Sequence, residues 1–208
     1  MSGTTALQRL VVNGKMSIGN ESAGNYTSVE ADGTIKYNGN ATVWDDAQYP
    51  FTVGSNAGTG YPTFVADSGY YTFVIDTTGA SKCIVYYNDC QLTHRWKEGS
   101  TVYPHIHYKY TTTTGTPTFG VKYRWFNRSE TPGAWTWIRL TQTTGTTDGK
   151  MEMSYNANGI SGAGKTISSI LQMQVYLISQ TGTGGIFGYG TDVHFEMDTN
   201  GSRTETSK

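Results

Sequence analysis

The sequence predicts an all-β protein: a jelly-roll-like antiparallel β-sandwich preceded by an extended N-terminal arm. The first observation is composition, because 26 Gly and 15 Tyr with only 15% charged residues are typical of many short strands joined by polar turns. The second is that apolar residues alternate with period two from Val43 onward, which is the periodicity of a strand with one buried face. The third is that Gly-rich turns separate these segments.

The N-terminal region, residues 1–42, is predicted to be an extended arm. It is weakly hydrophobic and rich in Gly, Asn and Ser, so it cannot bury much surface within itself. An apolar cluster of Leu7, Leu10 and Val11 could anchor the arm on a neighbouring subunit, and a flexible terminus is the alternative. The remaining residues, 43–208, are predicted to form a single sandwich domain.

The strongest strand pattern covers residues 102–110. One of its faces is mostly apolar, with Val102, Pro104, Ile106, Tyr108 and Tyr110, and the other carries Tyr103, His105, His107 and Lys109. The same alternation predicts strands at residues 119–125, 135–140 and 193–197. Turn sequences at 129–133, 144–150, 156–159 and 182–185 separate the predicted strands.

One segment, residues 166–179, fits two patterns. Leu171, Met173, Val175 and Leu177 alternate as in a strand, while a second set, including Ile167, Ile170, Gln174 and Ile178, has helical spacing. We predict a strand, because the segment has no charged residue and the surrounding chain is all-β.

Charge and targeting signals narrow the class of partner. A net charge of -1 gives no long-range attraction to nucleic acid or to an anionic membrane, so neither is predicted as a partner. No apolar run has the length of a signal peptide or a transmembrane helix, which predicts a cytosolic protein. In that compartment Cys83 and Cys90 are expected to be reduced and buried, with a cross-strand disulfide as the alternative.

The sequence GISGAGKT at 159–166 matches the phosphate-binding loop of nucleotide-binding enzymes. That mechanism needs a helix beginning at the loop and an acidic residue on another strand. The nearest acidic candidate, Asp89, lies upstream in a predicted hairpin. We therefore interpret the motif as a Gly-rich turn between two strands.

Two histidines, His105 and His107, have the spacing that opens the cupin metal motif. Residues two apart on a strand point the same way and can bind one ion, and His194 could complete a three-ligand site. The downstream Glu and the second motif of a cupin are missing. Histidines that hydrogen-bond within a polar sheet face are therefore the favoured interpretation, and no cofactor or metal is predicted.

Four tryptophans, Trp96, Trp125, Trp135 and Trp137, admit two interpretations. Flat aromatic surfaces on one sheet face can pack against sugar rings. Because these residues alternate with polar positions, we favour core packing.

Several segments resemble a recurrent structural protein of tailed-bacteriophage virions. They are VWDD at 43–46, YPF at 49–51, HRWKEGSTVYPHIHY at 94–108 and DVHFEMDTNGSR at 192–203, with a looser similarity at 122–125, 135–140 and 164–171. The resemblance covers most of the chain after residue 42 and not the arm. It implies a jelly roll, often trimeric, that decorates a capsid or attaches to another part of the particle. It supplies no catalytic residues.

These observations together predict a non-enzymatic capsid decoration or cement protein, located in the virion and assembled in the bacterial cytoplasm. Its expected partners are the major capsid protein or another virion protein and further copies of itself, with a trimer favoured. The expected contacts are the arm cluster of Leu7, Leu10 and Val11 and the segment Trp44, Asp45 and Asp46. The alternatives are a tail- or fibre-associated glycan-binding module and, less favoured, a cupin-type metal enzyme.

Overall fold

The computed structural model describes residues 12–51, 63–65, 70–73, 75, 88–111, 115–141, 149–205 and 207–208. Over these residues the protein is built from antiparallel strands and one short 3-10 turn, Gly39–Ala41. No helix within these ranges is long and apolar enough to cross a membrane. The predicted arm contacts at Leu7, Leu10 and Val11 lie outside the described residues, as does Cys83.

Much of the predicted arm forms a small three-stranded meander of its own. Its strands are β1 (Met16–Asn20), β2 (Asn25–Val29) and β3 (Ile35–Asn38), in that order in the sheet. Tight turns at Gly24 and Gly33, both with positive φ, close the two hairpins. Only Ser28 of these strands is buried, so the meander is stabilised by backbone pairing more than by an apolar core. A hydrogen bond of 2.7 Å from the Tyr37 amide to the Asp198 carbonyl joins it to the main domain.

Within the described residues, the main domain contains one ten-stranded antiparallel sheet. The strands run in the order β5-β6-β13-β8-β11-β10-β9-β12-β7, and β4 also pairs with β13. Their bounds are β4 (Val43–Tyr49), β5 (Thr63–Val65), β6 (Tyr70–Phe73), β7 (Asn88–Cys90), β8 (Val102–Tyr110), β9 (Pro117–Phe126), β10 (Thr136–Thr141), β11 (Met151–Tyr155), β12 (Ile170–Gln180) and β13 (Ile186–Met197).

The sheet folds over on itself between β10 and β11, which share a single residue pair, Thr141 with Tyr155. The inner faces of the two halves then meet across the core. The ring of Phe119 on β9 lies 5.4 Å from Tyr108 on β8 and 5.2 Å from Phe73 on β6, between ring centroids. This packing of two sheet faces confirms the predicted all-β, jelly-roll-like sandwich.

The predicted strands agree closely with the observed ones. β8 has the predicted bounds, with Val102, Ile106, Tyr108 and Tyr110 buried in the core. The strand interpretation of the ambiguous segment is confirmed for residues 170–179, which lie in β12, while the preceding residues form turns. Both helical and strand spacing occur there because β12 is buried on both faces over much of its length.

The GISGAGKT segment lies in the connection between β11 and β12, and the turn interpretation is confirmed. Gly159 and Gly164 have φ values of 63° and 72°, as turns of this kind require. Ile160 exchanges two backbone hydrogen bonds with Val102, which anchors the turn beside β8. Lys165 lies 3.3 Å from Glu130, and no helix follows the loop in the described chain.

The described cysteine, Cys90, is a free and fully buried thiol. Burial raises its pKa to about 12, so the thiol stays protonated and unreactive at neutral pH. The alternative of a bridge to Cys83 involves a residue outside the described part of the chain.

Candidate functional site

The candidate site lies on the outer face of three adjacent strands, β4, β13 and β8. Side chains alternate along β8, so Ile106 in the core places His105 and His107 on the opposite face. On β13, Val193 and Phe195 point into the core, so Asp192 and His194 lie on the opposite face. The pairing register sets Asp192 beside His105 and sets His194 beside Asp46 of β4.

The strand register gathers three histidines around one carboxylate. Oδ2 of Asp192 lies 3.0 Å from Nε2 of His107, a hydrogen-bond distance, and 3.6 Å from Nε2 of His194. Oδ1 of the same carboxylate lies 3.6 Å from Nδ1 of His105. On the other side, Nε2 of His194 lies 2.7 Å from Oδ1 of Asp46. We call these five residues the histidine–aspartate cluster.

Two atoms of the cluster are buried without a hydrogen-bond partner among the described residues. They are Nδ1 of His105 and Oδ1 of Asp192, on residues that are only 7% and 4% exposed. A buried polar atom without a partner costs about 1–3 kcal/mol. The two atoms face each other at a separation that is too long for a hydrogen bond.

The charge states of the cluster differ between its histidines. Burial, and then the neighbouring His194, lower the pKa of His105 to about 4, so this imidazole is neutral at pH 7. The hydrogen bond to Asp192 raises the pKa of His107. Burial opposes ionisation of Asp192, but the hydrogen bond from His107 and the surrounding histidines outweigh it and lower the pKa of this carboxyl. The site therefore presents a carboxylate beside a neutral imidazole.

Replacing His105 with glutamine is expected to reduce the loss of stability in weak acid. Between pH 6.5 and about 4 the unfolded chain takes up a proton at His105 that the folded chain does not, so the wild type loses stability as the pH falls through that window. His107 has the opposite effect on the pH dependence of stability. Its pKa is raised in the folded chain, so the stability it contributes is lost as the pH rises through that pKa. Unfolding midpoints measured between pH 6.5 and pH 4 should fall less steeply in the His105→Gln variant.

The matched control for this pH experiment is His94→Gln. His94 contacts Oγ of Ser202, away from the cluster, so the same substitution there leaves the surroundings of His105 intact and tests whether a change of slope is specific to the cluster. A His105→Gln variant with the wild-type slope would contradict the assignment.

Aromatic side chains surround the cluster on the solvent side. Trp44, Tyr103 and Tyr155 line an open depression of about 410 Å³ together with His105 and His194. Trp44 meets Tyr103 edge to face with 5.5 Å between ring centroids. Because the indole is 59% exposed, it presents an apolar surface to solvent at the edge of the cluster.

The structure brings together all three histidines of the hypothetical metal cluster, His105, His107 and His194. Sequence reasoning missed the two carboxylates. Asp192 lies two residues before His194 on the same strand face, and that i, i+2 spacing was the available signal. Glu196, on the same face, pairs with Lys97 at 3.0 Å instead. The cupin-type enzyme stays a hypothesis.

The tryptophans differ in whether they pack in the core or lie at the surface. Trp96 is fully buried and Trp125 packs against it, with 5.3 Å between ring centroids, so core packing is confirmed for this pair. Core packing is wrong for Trp137, which is 51% exposed and stacks under Arg139. Trp135 is half-buried beneath Arg124.

No protein-family profile matches the chain, and no curated protein matches it. Its similarities to solved structures are weak, as two of them illustrate. The first contains the CBM22-1 and GH10 modules of Clostridium thermocellum xylanase 10B with xylohexaose; it is 14% identical with a TM-score of 0.35, over 79% of this chain and 27% of that one. The second, the Eiger TNF of S. frugiperda, is 10% identical with a TM-score of 0.26, over 79% of this chain and 98% of that one. At these values neither similarity bears on function.

Proposed function

We propose that this chain is a non-enzymatic structural protein of a tailed-bacteriophage virion that decorates and stabilises the capsid. The observation that carries the proposal is the position of the segments that resemble such proteins. VWDD lies in β4, the HRWKEGSTVYPHIHY segment contains most of β8, and the DVHFEMDTNGSR segment includes the end of β13. These strands are direct neighbours, so segments distant in sequence share one outer surface.

The exposed contact surface is proposed to be the start of β4. Val43 and Trp44 project large apolar side chains into solvent there, and tryptophan is enriched among the residues that dominate interface energetics. The adjacent Asp45 lies 3.6 Å from Arg95, and Asp46 contacts His194. An apolar anchor bordered by charged groups is the usual organisation of a protein interface. The proposed partners are the major capsid protein, or another virion protein, and further copies of this chain in a trimer.

Replacing Trp44 with alanine is expected to weaken binding to undecorated capsid shells at least about 30-fold, since truncating an interface anchor costs about 2 kcal/mol or more. Co-sedimentation of the purified full chain with shells of its own phage measures the effect. Trp137→Ala is the matched control, because Trp137 is similarly exposed but lies on β10, away from β4. Undiminished binding by the Trp44 variant, or an equal loss in both variants, would remove the support for this surface.

The alternative function, a glycan-binding module of a tail or fibre, is favoured by the aromatic depression. Trp44, Tyr103 and Tyr155 line this depression together with His105 and His194, and a second pair of rings, the half-buried Trp135 and the exposed Trp137, lies at β10. Rings of this kind pack against sugars. A glycan array with the wild type and the Trp44→Ala and Trp137→Ala variants distinguishes the two functions, because a decoration protein should bind shells and no glycan.

A further inference from the structure

We propose that His105, Asp192 and His194 form a binding site for a divalent transition-metal ion, with Zn²⁺ the best-matched ion. The ligand atoms of these three residues lie within 4.8 Å of one another. They come from two neighbouring strands whose antiparallel register fixes the spacing. The inference concerns the outer face of β8 and β13 and is independent of a role in a virion.

Two separations between ligand atoms, each to a different oxygen of Asp192, are close to the edge length of a tetrahedral zinc site. With Zn–N and Zn–O bonds of about 2.0–2.1 Å, neighbouring ligand atoms in such a site are about 3.4 Å apart. The His105 Nδ1–Asp192 Oδ1 distance and the His194 Nε2–Asp192 Oδ2 distance are both 3.6 Å. A hydrogen-bonded pair would be closer than this. A small rotation of the Asp192 carboxylate would allow one oxygen to serve both neighbours.

The unpartnered atoms give independent support for a ligand between these residues. Nδ1 of His105 and Oδ1 of Asp192 are buried and have no hydrogen-bond partner in the described part of the chain. Both belong to side chains that are more than nine-tenths buried, so bulk water does not compensate them. An ion bonded to both atoms would satisfy them together, which removes a cost that a folded chain otherwise carries.

The surrounding groups complete the site in the manner of known metal centres. His107 holds Asp192 by a hydrogen bond of 3.0 Å, as outer residues commonly orient metal-binding carboxylates. Oδ1 of Asp46 lies 2.7 Å from Nε2 of His194. An ion bound to His194 must therefore displace this contact or take Asp46 as its fourth ligand. In the second case the ion ties β4 to β8 and β13.

The types of coordinating group indicate which class of ion the site would bind. Two imidazoles and a carboxylate suit Zn²⁺ and related ions, whereas Mg²⁺ and Ca²⁺ prefer all-oxygen sites. The carboxylate and the optional Asp46 supply the negative charge that balances a divalent cation.

The test is isothermal titration of the full chain, after treatment with a chelator, with ZnCl₂ and separately with CoCl₂. We expect one ion per chain and, for cobalt, the visible absorption of a four- or five-coordinate site. Asp192→Asn and His194→Gln should lose measurable binding. His107→Gln, which removes a positioning residue, should weaken binding about 10- to 100-fold while leaving the shape of the cobalt spectrum unchanged.

The control is His94→Gln, which removes a histidine outside the cluster and should bind as the wild type does. Circular dichroism of each variant without metal establishes that it is folded, and His194, on the partly exposed side of the site, provides a second variant if Asp192→Asn fails to fold. The proposal is overturned if the wild type binds neither ion, or if the folded His194→Gln variant binds as tightly as the wild type.

Discussion

Replacing Phe195 with alanine is expected to lower the free energy of unfolding by about 3–5 kcal/mol, the range for truncating a buried aromatic ring. Phe195 is fully buried in the core. Its strand, β13, pairs with β4 on one side and β8 on the other, so the surrounding backbone is held from both sides and cannot collapse into the cavity. Urea unfolding monitored by tryptophan fluorescence measures the change.

The control for the core prediction is Trp137→Ala on β10. This variant also removes a large aromatic ring, but from a position that is half exposed and where the ring stacks with Arg139. We expect a loss of about 1 kcal/mol or less. If the two variants lost equal stability, burial in the sandwich core would not be what Phe195 contributes.

The strand faces were predictable because alternation fixes them locally. In β8 the residues predicted to face inward are buried and the histidines lie on the other face. The sheet order was not predictable in the same way. Asp192 pairs with His105 across a separation of more than eighty residues, and neither strand carries a local signal that names its partner or its register.

The strands of the N-terminal meander were not predictable from apolar alternation. Strand detection depends on an apolar face, and β1 to β3 bury little besides Ser28. Hairpin turns and the hydrogen bond from Tyr37 to Asp198 hold these strands in place. The second contact depends on the folded sandwich. The low hydrophobicity of this segment accompanies a small buried area, but it does not exclude paired strands.

The candidate site was partly predictable for the same reasons. The His105 and His107 spacing indicates a shared face, and a contribution from His194 was a possibility that only the register could establish. Asp46 comes from an outer strand of the sheet, and no spacing rule connects it to a histidine so distant in sequence. Strand periodicity thus identifies side chains that point the same way, and the sheet register determines which of them meet.

Replacing Gly162 with alanine is expected to destabilise the protein by about 3 kcal/mol, at the upper end of the cost of overpacking. A Cβ at this position would overlap the carbonyl oxygen of Ser100 and lie 2.8 Å from Cζ2 of the buried Trp96. The obstacle is backbone and a fully buried indole, and neither can move aside without disturbing the segment before β8. Thermal and urea unfolding of the purified variant measure the loss.

The comparison with Gly164→Ala distinguishes the structural role of this loop from nucleotide binding. At Gly164 a Cβ would meet no atom of the described residues within 4 Å, and the positive φ of 72° opposes it, at a cost of about 1 kcal/mol. The nucleotide-binding pattern requires Gly159, Gly164 and Lys165 but makes no demand on Gly162. If the loop serves only as a packed turn, Gly162→Ala should therefore lower the free energy of unfolding more than Gly164→Ala does. A larger loss of stability in Gly164→Ala would contradict that role.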